Sequence, residues 1–156
     1  NKARDYLYIT TPYLVPDPGM IEDLIRAAKS GVDVRIITPR HYDKWYVYMV
    51  TVSNYGELIR GGVKIYEYVP GFIHQKNLIV DDEMAMCGTI NMDFRSFYLH
   101  YEDSVLMTGM QPVIDMKADF IETLTKCEEI DIKKWEKRPI RHKMIQAILR
   151  IFSPLL

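Results

Sequence analysis

Three short β-rich runs alternate with two helix-length stretches, and this order constrains the fold more than any other feature of the chain. "YLYIT" (6–10), "VDVRIIT" (32–38) and "VKIYEYV" (63–69) carry the β-branched and aromatic residues that suit strands. Between the first two, residues 19–31 place Ile21, Leu24, Ile25 and Ala28 at helical spacing, and Gly31 stops the run. Between the second and third, residues 44–60 set Trp45, Tyr48, Met49 and Val52 on one helical stripe ahead of Gly61-Gly62. A different rhythm follows. Residues 74–89 read as a hairpin turning at Asp81-Asp82-Glu83, "EDSVLMT" (102–108) as another strand, and 112–129 as an amphipathic helix with Pro112 in its first turn. Pro139 opens a last helix over 139–151. Alternation followed by a run of strands predicts an α/β fold: a mixed β-sheet flanked by helices, an α-β-α sandwich, in a single domain over 1–156.

The net charge of −1 implies no global pull toward nucleic acid or anionic lipid. Cys87 and Cys127 are too few for a disulfide framework and fit a reducing compartment. No apolar run approaches the ~18 residues that span a bilayer, and no signal peptide is visible. The chain opens on Asn1 without a methionine and enters a strand almost at once. It therefore reads as a piece of a longer protein with an N-terminal part before it.

"GFIHQKNLIVDD" (71–82) holds the chemistry. Parity puts His74 and Lys76 on the strand face of Leu78 and Val80, which read as core. Asp81 follows five residues after Lys76, and Gly88-Thr89-x-Asn91 seven after Asp81; Asp93, Arg95, Ser96 and Glu102 come next. These residue types suit attack on a phosphodiester. A neutral imidazole can attack phosphorus and form a phosphohistidine, and an imidazolium can protonate the leaving alkoxide. Lys76 and Asn91 suit the charge on the phosphoryl oxygens, a task other phosphodiesterases give to a metal. Plainer readings stand beside these. Asn91 and Thr89 are also turn residues, Arg95 serves equally as a substrate contact or a structural ion pair, Asp82 and Glu83 are turn chemistry, and Trp45, Tyr46 and Tyr48 read as core and cleft wall.

The spacing H-x-K-x4-D-x6-G-[ST]-x-N is unbroken here and resembles the signature of the phospholipase D superfamily. "YITTPYLVPDPGMIEDLIRAAKSGVDVRIITP", "YGELIRGGVKIYEYVPGFIHQKNLIVDDE" and the terminal "SPLL" are similar to the C-terminal half of bacterial cardiolipin synthases. The resemblance is weakest across 40–53 and 128–150. It implies a phospholipase D-like fold, no metal and no cofactor. It also implies a catalytic set of His74, Lys76, Asn91, Glu102 and Asp81, with Thr89 and Arg95 on the substrate. Glu102 lies 28 residues after His74, where the family places a carboxylate behind its histidine. Asp81 lies at odd separation from His74, so parity makes it structural despite its place in the motif. His100, where these enzymes commonly carry Asn, could compete for Glu102.

The chemistry implied by the resemblance needs two histidines, and this chain has one motif. Family members carry two motifs or pair two chains, so the partner is a missing N-terminal half or a second copy. His74 is assigned the acid/base role, with the nucleophile on the other half. The implied reaction transfers a phosphatidyl group between two phosphatidylglycerol molecules, giving cardiolipin and glycerol. It would run at the cytoplasmic face of the cell membrane, with transmembrane anchors in the preceding part. A phospholipase D-type hydrolase, a homodimeric nuclease, and a non-catalytic dimerisation or membrane-docking module are the alternatives. The closing segment, 133–156, changes composition. Seven Lys/Arg stand against Glu136 over 133–150, and Ile140, Met144, Ile148 and Ile151 share a helical face. That basic amphipathic helix, 139–156, suits either an anionic membrane surface or packing against the protein.

Overall fold

The computed structural model describes residues 3–152. In chain order its elements are β1 (Tyr6–Thr10), β2 (Leu14–Val15), α1 (Pro18–Lys29), β3 (Asp33–Pro39), α2 (Trp45–Arg60), β4 (Lys64–Tyr68), β5 (Asn77–Val80) and β6 (Met84–Gly88). Then come β7 (Met92–Asp93), α3 (Phe94–Tyr98), β8 (Ser104–Thr108), α4 (Gln111–Leu124), β9 (Cys127–Glu129), α5 (Ile132–Glu136) and α6 (Ile140–Ile151). Seven strands form one mixed sheet in the order β8-β6-β5-β1-β3-β4-β9, and β2 pairs separately with β7. β1, β3 and β4 run parallel, joined through α1 and α2. β5, β6 and β8 continue the other side as an antiparallel meander. The predicted α/β class and mixed sheet match this architecture.

Local chemistry sets the element ends. The Asp17 side chain accepts the Met20 N–H at 3.1 Å and caps α1, with Pro18 in its first turn. Ile9, Leu14, Ile36, Tyr55, Leu58 and Ile65 bury one sheet face against α1 and α2. Tyr8, Ile37, Ile79, Ala85, Val113 and Phe120 bury the other against α4, where the Tyr8 and Phe120 rings stack at 4.7 Å.

Several expectations change. His74 and Lys76 precede the strand instead of opening it, and the buried residue of β5 is Ile79, while Leu78 and Val80 are half-buried. The cause is the neighbouring strand. β1 pairs with β5 only as far as Thr10 opposite Asn77, and the Thr11 N–H then goes to the Ile37 carbonyl. Residues 74–76 therefore lose β1 as a neighbour, and on the other side the Gly88 N–H reaches the Lys76 carbonyl at 3.3 Å. The helix expected over 112–129 ends at Leu124, because 127–129 pairs with the open edge of β4 as β9. The stripe expected on α2 is rotated: Val47, Val50, Tyr55 and Leu58 are buried, and Trp45 is exposed. The matched "SPLL" lies outside the described residues.

Gly56 fixes how the C-terminal segment docks. The Trp135 indole N–H of α5 donates to the Val52 carbonyl at 3.0 Å, and a Cβ at Gly56 would lie 2.3 Å from the indole ring. Gly56→Ala therefore costs about 1–3 kcal/mol by overpacking, read as a lower midpoint in denaturant. Gly71→Ala, with open space around its Cβ, leaves the midpoint unchanged; equal midpoints for both variants contradict this docking.

Candidate active site

The irregular segment before β5 carries His74 and Lys76 out at the end of the sheet. The Lys76 Nζ lies 3.0 Å from His74 Nε2 and donates to the His74 carbonyl at 2.9 Å. An ammonium has only donors, so Nε2 accepts and the ring proton sits on Nδ1. Phe72 packs near the ring at 5.6 Å between centroids. Burial and then the Lys76 charge hold the His74 pKa below 6.5, so neutral imidazole is favoured. Burial also lowers the Lys76 pKa, opposed by the carboxylates of Glu102 and Asp93.

The second wall comes from the turn after β6 and from α3. Asp93 caps α3 by accepting the Ser96 N–H at 2.7 Å. The Ser96 hydroxyl then accepts both the Asn91 backbone N–H and its side-chain amide, each at 3.2 Å. Among the described residues Asn91 Oδ1 is buried with no hydrogen-bond partner, so it can accept from a donor that enters the cleft. Burial raises the Asp93 pKa despite its Ser96 bonds. Asn91, Asp93, Arg95, Ser96 and His100 line a cleft of about 310 Å³ with Tyr13 and Lys44. A roomier cavity, about 410 Å³, surrounds buried Glu67 and contains none of the motif residues.

Glu102 is placed differently from the expectation. Hydrogen bonding from Thr89 is the main cause of its lowered pKa, with Ser96, His100 and Lys76 adding to it. His100 Nδ1 stands 3.9 Å from Glu102 Oε1, and no hydrogen bond joins Glu102 to His74 among the described residues. His100 Nε2 accepts from Arg95 Nε at 2.7 Å, which leaves the His100 ring proton on Nδ1, toward Glu102. Arg95 is thus tied to His100 instead of free in the cleft. Thr89 exchanges hydrogen bonds with the Asp103 backbone at 2.9–3.2 Å, so its hydroxyl is a turn group as well as a Glu102 neighbour.

Asp81 is not in the cluster. It has φ of 51°, and its carboxylate accepts the backbone N–H groups of Arg4, Asp5 and Tyr6 at 2.7–3.0 Å. Burial opposes ionisation there, but these three donors hold the pKa below the ordinary aspartate value. Asp82 is turn chemistry, pairing with Lys117 at 2.8 Å and with the Tyr6 hydroxyl. Two groups carried no strong sequence signal. Thr11 Oγ1 accepts the Met92 N–H at 3.1 Å and tethers β7 to the end of β1. Asp43, held by the Tyr13 hydroxyl, adds its charge near His74. Only the Thr11-Pro12 turn at a strand end hinted at the first. No group of three His, Cys, Asp or Glu side chains among the described residues is placed to hold a metal ion.

The fold and motif have close counterparts. Residues 1–124 match the family model described as "Cardiolipin synthase, PLD-like domain". A cardiolipin synthase of Geobacillus sp. (strain WCH70) is 41% identical over 156 residues, all of this chain and 31% of that protein. One from Listeria monocytogenes serotype 4a (strain HCC23) is 40% identical over the same length, 32% of that protein. The chain thus spans about a third of the length of these curated relatives. Among solved structures, the phospholipase D family member Nuc from Salmonella typhimurium superposes with a TM-score of 0.71 at 16% identity, covering 83% of this chain and 84% of Nuc. Phosphatidylserine synthase of Haemophilus influenzae Rd KW20 gives 0.74 at 16% identity, covering 99% of this chain and 40% of the other.

The His74–Lys76 contact makes a pH prediction. A depressed pKa keeps His74 neutral at pH 7 and delays its protonation as pH falls. In an NMR titration His74 has its midpoint below 6.5, and Lys76→Met raises it part of the way back, since burial remains. A midpoint above 6.5, or no change in the variant, contradicts this electrostatic reading. The signature from His74 to Asn91, the family model over residues 1–124 and the identity to relatives over the whole of this chain agree, and the chain belongs to the cardiolipin synthase family of phospholipase D-like domains.

Proposed function

We propose that this chain supplies one half of a phosphatidyl-transfer site that converts two phosphatidylglycerol molecules into cardiolipin and glycerol. The observation that carries this is the 3.0 Å contact between His74 Nε2 and the Lys76 ammonium at the exposed end of the sheet. A phosphodiester entering there meets Lys76 as its counter-charge. As the ammonium turns to the phosphoryl oxygens, it frees Nε2. The cleft behind Asn91 would take the glycerol, a hydroxyl of which can donate to the free Asn91 Oδ1.

Among the described residues His74 has no carboxylate bonded to its ring, and it is held in the neutral form that attacks phosphorus. The acid/base role expected for His74 therefore requires a carboxylate from outside these residues. Glu102, turned away from His74, is correspondingly available to a group approaching across the cleft. Both features fit a site completed by a second motif-bearing half or by a second copy of this chain. In that reading one histidine forms the phosphohistidine and expels glycerol, and the other donates the glycerol proton. The hydroxyl of the second phosphatidylglycerol then resolves the intermediate. Among the described residues no helix is long and apolar enough to cross a membrane, so membrane anchorage of the whole protein at the cytoplasmic face rests on the family alone.

The test pairs light scattering with phosphatidylglycerol turnover on the same fractions. The isolated chain is expected to be an inactive monomer, or a dimer with weak activity. In the protein carrying both motifs, His74→Ala lowers cardiolipin formation by about 10²–10⁴-fold. A monomer of this chain with full transferase activity refutes the half-site. Release of phosphatidic acid without transfer, or cleavage of DNA, favours the hydrolase or the nuclease.

A further inference from the structure

We propose that α6 seats this chain on an anionic phospholipid surface through its outward face. The helix docks with its amphipathic character inverted. The side chains turned to the protein are Gln146, whose Oε1 accepts from Arg138 Nε at 2.9 Å, together with Leu149 and half-buried His142. Ile140, Met144, Ile148 and Ile151 face outward and are 57–74% exposed, with Phe152 beside them. They fall on one arc of the helix at 100° per residue. A helix packed for stability alone would bury that arc.

The charges around the arc choose the occupant. α6 carries Arg141, Lys143 and Arg150 and no acidic residue, and Lys133, Lys134 and Lys137 precede it; of these Arg150 is paired with Glu57 of α2 at 3.8 Å. The one acid of that stretch, Glu136, is paired with Arg60 at 3.2 Å. Hydrocarbon bordered by negative charge is what an anionic bilayer offers, and each cation near it adds about 1 kcal/mol. Position agrees with this. Leu149 packs on the Val15, Val47 and Val50 cluster with Tyr13, and Tyr13, Val15 and Val47 also line the cleft with Asn91. Exposed Trp45 and half-exposed Tyr46 stand at the adjoining start of α2, residue types suited to a bilayer interface. Seated this way, the chain would hold its cleft beside the lipid that supplies its substrate, so the inference rests on the phosphatidyl-transfer reading.

Co-sedimentation with vesicles tests it without measuring turnover, so failure of the transfer reading and failure of this one are separately visible. The chain is expected to bind vesicles containing phosphatidylglycerol and not vesicles of phosphatidylcholine alone. The double variant Met144→Ser/Ile148→Ser loses about tenfold in binding or more. Independently, Lys137→Gln/Arg141→Gln loses about tenfold or more and flattens the salt dependence. Binding unchanged in either folded variant overturns the proposal, as does a wild-type chain that ignores phosphatidylglycerol. So does conversion of a dimer to monomer by the apolar variant with vesicle binding intact, since the face would then be covered by a second copy.

Discussion

The four-residue ladder between β1 and β5 is the constraint on which the site depends. Leu7 faces Val80 at one end and Thr10 faces Asn77 at the other. A slip of one residue would turn every side chain of β5 to the wrong face. Asp81 guards against it at the closed end, where its carboxylate gathers three backbone N–H groups of residues 4–6. At the open end β1 bends away at Thr11, and Lys76, still held through its carbonyl by the Gly88 N–H, and His74 leave the β1 side of the sheet. The aspartate of the motif thus acts at a distance, through register. At about 3.3 Å per residue, it sits roughly 16 Å from Lys76 along the strand.

The electrostatics at the open end are unbalanced in an informative way. Lys76 has two carboxylates in its field, Glu102 and Asp93, yet burial still lowers its pKa. His74 has the Lys76 charge against it and only Asp43 in its favour. Asn91 keeps a buried amide oxygen without a partner. Each of these is a cost in the free chain. A phosphate beside Lys76 would offset the first cost, a carboxylate brought to His74 by a second half the second, and a hydroxyl donated to Asn91 Oδ1 the third.

Much of this was legible in the sequence because it follows from short-range rules. Period-two runs and capped helices located β1, β3, β4, α1 and α6. The motif spacing singled out His74, Lys76 and Asn91. What escaped the sequence depends on neighbours distant along the chain. Nothing in 74–76 says that β1 ends at Thr10, so parity alone extends the strand too far. Nothing in 127–129 says that the edge of β4 stands open to it. Spacing alone could not tell that Glu102 turns to Thr89 and His100, nor that Arg95 spends its Nε on His100. The apolar stripe of α6 was visible, but its direction is set by Trp135 seated over Gly56, a contact between segments about 80 residues apart.

On the proposed reading His74 and Lys76 form the phosphate seat while Asp81 is scaffold. Titrating isotope-labelled chain with glycerol phosphate, and following side-chain resonances by NMR, tests it most directly. Saturable shifts are expected at His74, Lys76 and Asn91, none at Asp81, and loss of the shifts in Lys76→Met. Shifts centred on Asp81, or a His74 signal indifferent to the phosphate, would contradict it.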